Sequence, residues 1–205
     1  MKNKEFFNDY IKAFLNQNAK LNLISKNDEK YLWEKHIYDS LAIEKFFKKY
    51  GNAFKTLLDF GTGGGFPAIP IAFCYPEIQV TAMDSIRKKI NAICEIKEEL
   101  NIENLHPICS RVEQSHCHPE LVSGSEFDIV TSRAVASLDK IVEYAMPRLK
   151  KDGFFIAYKS VKAQEEIDAA QKALKKHKAK VVDIIEYDLP LEENHTRNLI
   201  VIKKV

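Results

Sequence analysis

From position 57 to position 68 the chain reads Leu-Leu-Asp-Phe-Gly-Thr-Gly-Gly-Gly-Phe-Pro-Ala. A short apolar run ends in an acid, and then Gly61, Gly63, Gly64 and Gly65 fall within five positions. This pattern predicts a buried strand over residues 56–60, running into a turn whose backbone comes close to another group. Glycine reaches positive φ at no steric cost and leaves no Cβ between backbone and ligand. The apolar segment that follows predicts a helix near residues 68–73. Its N-terminus offers free N–H groups and the positive end of a dipole to a polar or anionic group. Strand, glycine turn and helix together predict a nucleotide site.

The dinucleotide fingerprint G-x-G-x-x-G fails from Gly61, because Phe66 takes the last glycine's place. A looser match, Gly63-x-Gly65-x-x-Ala68, is weak support. Asp59 discriminates between ligands. An acid at the strand end, directly ahead of the glycines, repels a pyrophosphate and suits a ligand with a cationic, amino-acid end. S-adenosylmethionine has a sulfonium, an ammonium and no phosphate. Residues 79–83 alternate like a second strand that stops at Asp84, where an acid accepts hydrogen bonds from ribose hydroxyls. The Asp59 carboxylate has a second reading, in which it caps the glycine turn.

Lys and Arg number 31 against 29 Asp and Glu, so the net charge of +2 identifies no nucleic-acid partner. Cys74, Cys94, Cys109 and Cys117 form no C-x-x-C pair and read as reduced thiols. With no signal-peptide core and no apolar run of membrane-spanning length, a soluble, cytoplasmic protein without membrane contact is expected.

The apolar periodicity predicts alternating elements. A helical stripe covers residues 5–15. Asp28 is a plausible N-cap for a second helix running past Trp33, Ile37 and Leu41 to Phe47, ended by Gly51-Asn52. Strands are predicted at 56–60, 79–83, 106–109, 127–131, 154–158, 181–186 and 199–203. Helices are predicted at 68–73, 87–100, 138–149 and 163–177. The βα alternation predicts an α/β fold with a doubly wound, mostly parallel sheet. The last two strands have no helix between them and are expected to pair antiparallel through a loop at 188–197.

Five segments carry a family resemblance: Leu21-Asn22-Leu23, His36-Ile37-Tyr38-Asp39-Ser40-Leu41, residues 58–70, Ser110-Arg111-Val112-Glu113, and Ser132-Arg133-Ala134. Asp84-Ser85 and the closing Arg197-Asn198-Leu199-Ile200-Val201-Ile202 add to it. The chain resembles the bacterial ribosomal RNA small-subunit methyltransferase G family, also called glucose-inhibited division protein B, over nearly its whole length. The resemblance implies a seven-stranded class I methyltransferase domain, Rossmann-like, over residues 51–205. A helical cap over residues 1–50 belongs to the same compact unit. It also implies methyl transfer from S-adenosylmethionine, leaving S-adenosylhomocysteine, to nitrogen 7 of a guanine in the 530 loop of 16S ribosomal RNA. The partner is then that RNA or the small ribosomal subunit, and the protein is expected to be a monomer.

The expected cofactor residues are Asp59, Gly61, Gly63, Gly65, Phe66, Asp84, Val112, Glu113 and Arg133. Glu113, or the Val112 backbone, would meet the adenine after the third strand. Arg133 ends the fourth strand, and the matching family arginine belongs to the cofactor site; here it is the expected positioning residue. Nitrogen 7 carries an in-plane lone pair and no proton, so no acid or base is expected. Alignment of nucleophile, methyl carbon and sulfur is the requirement. The turn after the fourth strand reads Thr131-Ser132-Arg133-Ala134 and lacks the Asn/Asp-Pro-Pro-aromatic motif of amino-group methylation. Cys109 is expected to be an inert thiol rather than a nucleophile, and His36 and Asp39, one helical turn apart, a hydrogen-bonded pair rather than catalytic groups.

Arg87, Lys88, Lys159 and Arg197 are the expected RNA contacts, through phosphate. Two features depart from the family: Ser160 replaces the usual glycine after Tyr158-Lys159, and residues 114–125 form a longer connection. His116-Cys117-His118 within it is poor support for a metal, and none is expected. Two alternatives stay open: a class I methyltransferase with a different substrate, and a non-catalytic nucleotide-binding factor of ribosome assembly.

Overall fold

The computed structural model describes residues 3–110, 126–193 and 195–205. Seven strands form one sheet in the order β3-β2-β1-β4-β5-β7-β6. These are β1 (Thr56–Phe60), β2 (Gln79–Asp84), β3 (Leu105–Cys109), β4 (Phe127–Arg133), β5 (Leu149–Lys159), β6 (Ala179–Leu189) and β7 (His195–Lys204). The first five are parallel to one another, and β7 runs antiparallel to β5 and β6. The strand order reverses between β1 and β4. In such sheets that switch point opens a crevice at the carboxyl ends of the strands.

Strand residues alternate sides because successive Cβ atoms point to opposite faces. Leu57, Val80, Ile129, Ile156 and Val201 join one core, with α1 (Asn8–Leu21), α4 (Ile43–Tyr50), α5 (Ala68–Cys74) and α6 (Arg87–Glu99). Leu58, Met83, Val130, Phe155 and Ile200 join the other, under α7 (Leu138–Ala145) and α8 (Ala163–Lys176). Strands covered on both faces read as near-continuous apolar runs, as Leu199-Ile200-Val201-Ile202 of β7 does. The N-terminal segment shares the first core: Phe7, Tyr10, Phe14, Ile37 and Phe46 are fully buried.

The predicted element types hold, with corrections. The helix predicted over 138–149 ends at Ala145, and Leu149 opens β5 instead. The first helix runs on to Leu21, ended by Asn22 in the left-handed region. Asp28 is not an N-cap. Ser25 caps the short α2 (Lys26–Glu29), and the Asp28 carboxylate instead binds the Ser25 hydroxyl and Lys35. The predicted second helix is broken: a π-helical segment, Leu32–Tyr38, leads into α3 (Asp39–Leu41) and then α4. The final hairpin is also tighter than expected, since Tyr187 pairs with Arg197 and Leu189 with His195, making half of the predicted loop strand. Among the described residues no helix is long and apolar enough to cross a membrane.

Candidate active site

A cavity of about 760 Å³ opens at the switch point, over the carboxyl ends of β1, β2 and β4. Gly61, Gly63, Phe66, Asp84 and Arg133 line it, as do Ile86, Ser110, Val135 and Tyr144. The glycine turn is shaped by local backbone geometry. Gly61 and Gly65 sit at φ of +69° and +93°. A Cβ on Gly61 would overlap Val135, and one on Gly65 would overlap the Ile69 side chain. Gly65 is therefore needed for helix packing and does not reach the cavity wall; Gly64 lines it instead.

Asp84 does two jobs at the tip of β2. Its Oδ2 accepts the Gly63 N–H at 2.9 Å and its Oδ1 accepts the Ile86 N–H at 2.9 Å. The carboxylate thus occupies an amide that a bound phosphate would otherwise use, so the turn is built against a pyrophosphate. Each oxygen keeps a lone pair for a ribose hydroxyl.

Asp59 corrects the sequence expectation. It is fully buried and does not line the cavity, so it is not placed to touch a ligand's cationic end. One oxygen accepts from the Thr131 hydroxyl at 2.9 Å, directly across the β1–β4 ladder. Burial pushes its carboxyl up to about 7, offset in part by the Thr62 and Thr131 hydroxyls. Its interactions with the Thr62 hydroxyl and the Ala68 backbone fit the capping reading.

Arg133, at the end of β4, is the hub of the opposite wall. Its Nη1 donates to Asp39 Oδ2 at 2.9 Å and to the Lys35 carbonyl at 3.2 Å; its Nη2 lies 3.1 Å from His36 Nδ1. The guanidinium also covers the Phe66 ring at 5.2 Å. Asp39 takes a further bond from the Tyr187 hydroxyl at 2.7 Å. Burial, with Arg133 beside it, lowers His36 to about 4, so the imidazole is neutral. The π-helical segment carries Lys35 and His36 to this point, and α3 opens with Asp39. A second cavity, about 560 Å³, shares His36, Arg133 and Ala134 with the first and is lined also by Tyr158, Tyr187, Leu191 and Arg197.

The other expected residues divide. Arg87 and Lys88 are exposed at the start of α6. Arg197 lines the second cavity. Lys159 is a correction: it is 9% exposed and paired with Glu166 at 2.6 Å, so its ammonium is not free for a phosphate. Ser160 is exposed, its carbonyl accepting from Asn198. Cys109 is half-buried, with Sγ 3.8 Å from the Ser85 carbonyl. Val112, Glu113, Cys117 and residues 114–125 lie outside the described residues. Among the described residues no cluster of three or more His, Cys, Asp or Glu side chains is arranged for a metal. Sequence reasoning missed Ile86, Val135, Glu166 and Tyr187. Ile86 and Val135 each lie two residues beyond a predicted site residue and were within reach of that signal; Glu166 and Tyr187 come from remote elements and carried none.

The family model for rRNA small subunit methyltransferase G matches residues 3–202. The chain is 39% identical over 205 residues to ribosomal RNA small subunit methyltransferase G of Bacillus licheniformis, covering 98% of this chain and 82% of that one. It is 36% identical over 201 residues to the protein of the same name from Bacillus subtilis, with the same coverage of 98% and 82%. Among solved structures, the Bacillus cereus O-methyltransferase in complex with SAH superposes with a TM-score of 0.64 at 12% identity, covering 100% of this chain and 93% of that one. N-methyltransferase NodS from Bradyrhizobium japonicum, in complex with S-adenosyl-L-homocysteine, gives 0.63 at 10%, covering 94% and 98%. At these identities the structures speak for the fold alone: a Rossmann-like methyltransferase fold.

Proposed function

The chain belongs to the rRNA small subunit methyltransferase G family and is an S-adenosylmethionine-dependent methyltransferase; on that premise we propose that it methylates nitrogen 7 of a guanine in the 530 loop of 16S ribosomal RNA. The observation that carries the reading is the family match over nearly the whole chain, joined to a cavity built without a phosphate cradle. When bound, S-adenosylmethionine supplies an electrophilic methyl group on a sulfonium. Asp84 holds the ribose hydroxyls, Gly61 and Gly63 let the backbone approach, and Phe66, Ile86 and Tyr144 enclose the ligand. Val112 and Glu113 are proposed at the adenine.

The acceptor enters from the second cavity, across the wall that Arg133 and Ala134 share. A lone pair on nitrogen 7 needs no proton removed. The residues here agree with that demand: His36 is held neutral and turned toward Arg133 by its Nδ1, and Asp39 is committed to Arg133 and Tyr187. The chain's work is alignment and exclusion of water. Arg133 is a positioning residue, and Arg197, Arg87 and Lys88 face the RNA. The protein acts as a monomer in the cytoplasm, with the cap of residues 1–50 and the catalytic region of residues 51–205 forming one unit.

Borohydride and aniline cleave RNA at 7-methylguanine. Small-subunit RNA from cells lacking this chain is expected to lose one such cleavage in the 530 loop and to regain it on complementation. A cleavage that persists in the absence of any second enzyme overturns the assignment.

A further inference from the structure

The turn between β4 and α7, residues 134–137, is held from outside by two side chains that cofactor binding does not use. Lys159, the last residue of β5, donates from Nζ to the Ala136 carbonyl at 2.8 Å. The same ammonium pairs with Glu166 Oε2 at 2.6 Å, and that oxygen accepts the Leu138 N–H at 3.0 Å. The two side chains thus hold the carbonyl on one side of Ser137 and the N–H on the other. Ser137 makes no cap bond to its own helix, and its hydroxyl goes to the Asp139 carboxylate. The first N–H of α7 is therefore capped by a residue of α8.

The turn needs this restraint. Ala134 sits at φ +54°, a region that residues with a Cβ rarely adopt. Val135 is 44% exposed, yet its side chain lies directly over Gly61. Ala134, Val135 and Ala136 line the first cavity, while Ala134, Lys159 and Glu166 line the second. The turn is the partition between the two.

We propose that Lys159 and Glu166 form a clasp that fixes this partition, and so govern the methyl-transfer step rather than RNA affinity. Neither reaches the reacting atoms; both are positioning residues, and the inference rests on the methyltransferase reading above. Methyl transfer depends on collinear alignment, and a misplacement of about 1 Å costs on the order of a hundredfold in rate.

The test uses the full chain and small subunits lacking the modification. Lys159→Met is expected to lower kcat about ten- to a hundredfold, with the KM for subunits and the Kd for S-adenosylhomocysteine held within about threefold. Lys159→Arg restores most of the rate. Glu166→Gln, which keeps an acceptor for Leu138 but loses the charge, falls in between. The double variant is no worse than Lys159→Met, because both residues act on one element. Amide exchange at residues 134–138 speeds up in Lys159→Met and Glu166→Gln, a readout independent of activity. A raised KM with unchanged kcat and a salt slope smaller by about one unit would make Lys159 a phosphate contact and overturn the clasp. Unchanged exchange also overturns it. If Lys159→Met does not fold, Glu166→Gln decides on the same two readouts. A parent chain that binds S-adenosylhomocysteine but leaves small subunits unmethylated defeats the functional reading instead, and the exchange experiment still judges the clasp.

Discussion

The two walls of the cleft are built in opposite ways. The cofactor wall comes mainly from one loop and one strand tip, Gly61 to Phe66 and Asp84 to Ile86, and its inner bonds join backbone N–H groups to a carboxylate. The wall proposed for the acceptor is assembled from side chains of the N-terminal helices, three strands and α8. Its Asp39–Tyr187 bond spans 148 residues of sequence. A backbone wall tolerates most changes except an added Cβ. A side-chain wall depends on every partner, because removing one leaves another buried and unpaired.

The sharpest break in the comparison is Gly61→Val. A branched side chain at φ +69°, against Val135, is expected to abolish S-adenosylhomocysteine binding in calorimetry while the circular dichroism spectrum is kept. Binding close to that of the parent would mean the turn is not a ligand surface.

On the acceptor wall, Arg133→Ala strands the Asp39 carboxylate, whose side chain is only 8% exposed. A loss of about 3 to 5 kcal/mol of stability is expected in urea titrations, together with most of the methyl transfer. The pair Arg133→Ala and Asp39→Ala should cost less than the sum of the single changes. Additive costs would show that the network is no unit.

Asp59, beneath the cofactor wall, gives the protein a pH dependence. Its folded carboxyl lies at about 7 against 3.8 as a free side chain. Below both values the folded and unfolded chains are equally protonated at this site. As pH rises between them, the unfolded chain releases a proton that the folded chain keeps. Stability therefore falls from about pH 4 to about pH 7. Asp59→Asn is expected to flatten this limb and to gain about 2 to 4 kcal/mol at neutral pH. An unchanged limb would exclude Asp59 as its source.

Asp84→Ala tests the cofactor wall more gently. It removes the proposed ribose acceptor and frees the Gly63 and Ile86 N–H groups. Cofactor affinity should fall by about 1 to 3 kcal/mol, the range for a charge-assisted hydrogen bond. Equal affinity in the variant would remove Asp84 from the site.

The smallest effect is expected at Arg87 and Lys88, exposed beside the cleft. Replacing either with Ala should weaken RNA binding and reduce the salt slope by about one unit, with cofactor affinity unchanged. A salt slope identical to the parent's would place them off the RNA path.

The wall proposed for the cofactor was largely legible in the sequence. Gly61, Gly63, Phe66 and Asp84 all line the cavity, because glycine spacing and a strand that stops at an acid are local signals. The misreadings came where burial intervened. Asp59 has the right position in the chain for a ligand contact, but the β1–β4 ladder sets it against Thr131, inside the sheet. Lys159 sits at the expected strand end, yet α8 brings Glu166 onto it. Asp28 has a cap residue's chemistry, but Ser25 takes the role three residues earlier.

Local signals along the chain were enough to set the alternation of strands and helices, the glycine turn and the acid at the tip of β2. Each of these depends on backbone preference or apolar period among neighbouring residues. Which polar groups would be partners depended instead on long-range docking. Arg133 meets Asp39, Lys159 meets Glu166 and Tyr187 meets Asp39 because sheet order and helix docking bring separate elements to one edge. Burial binds Arg133 and Asp39 most tightly, since a charge removed from water must find its counterpart nearby.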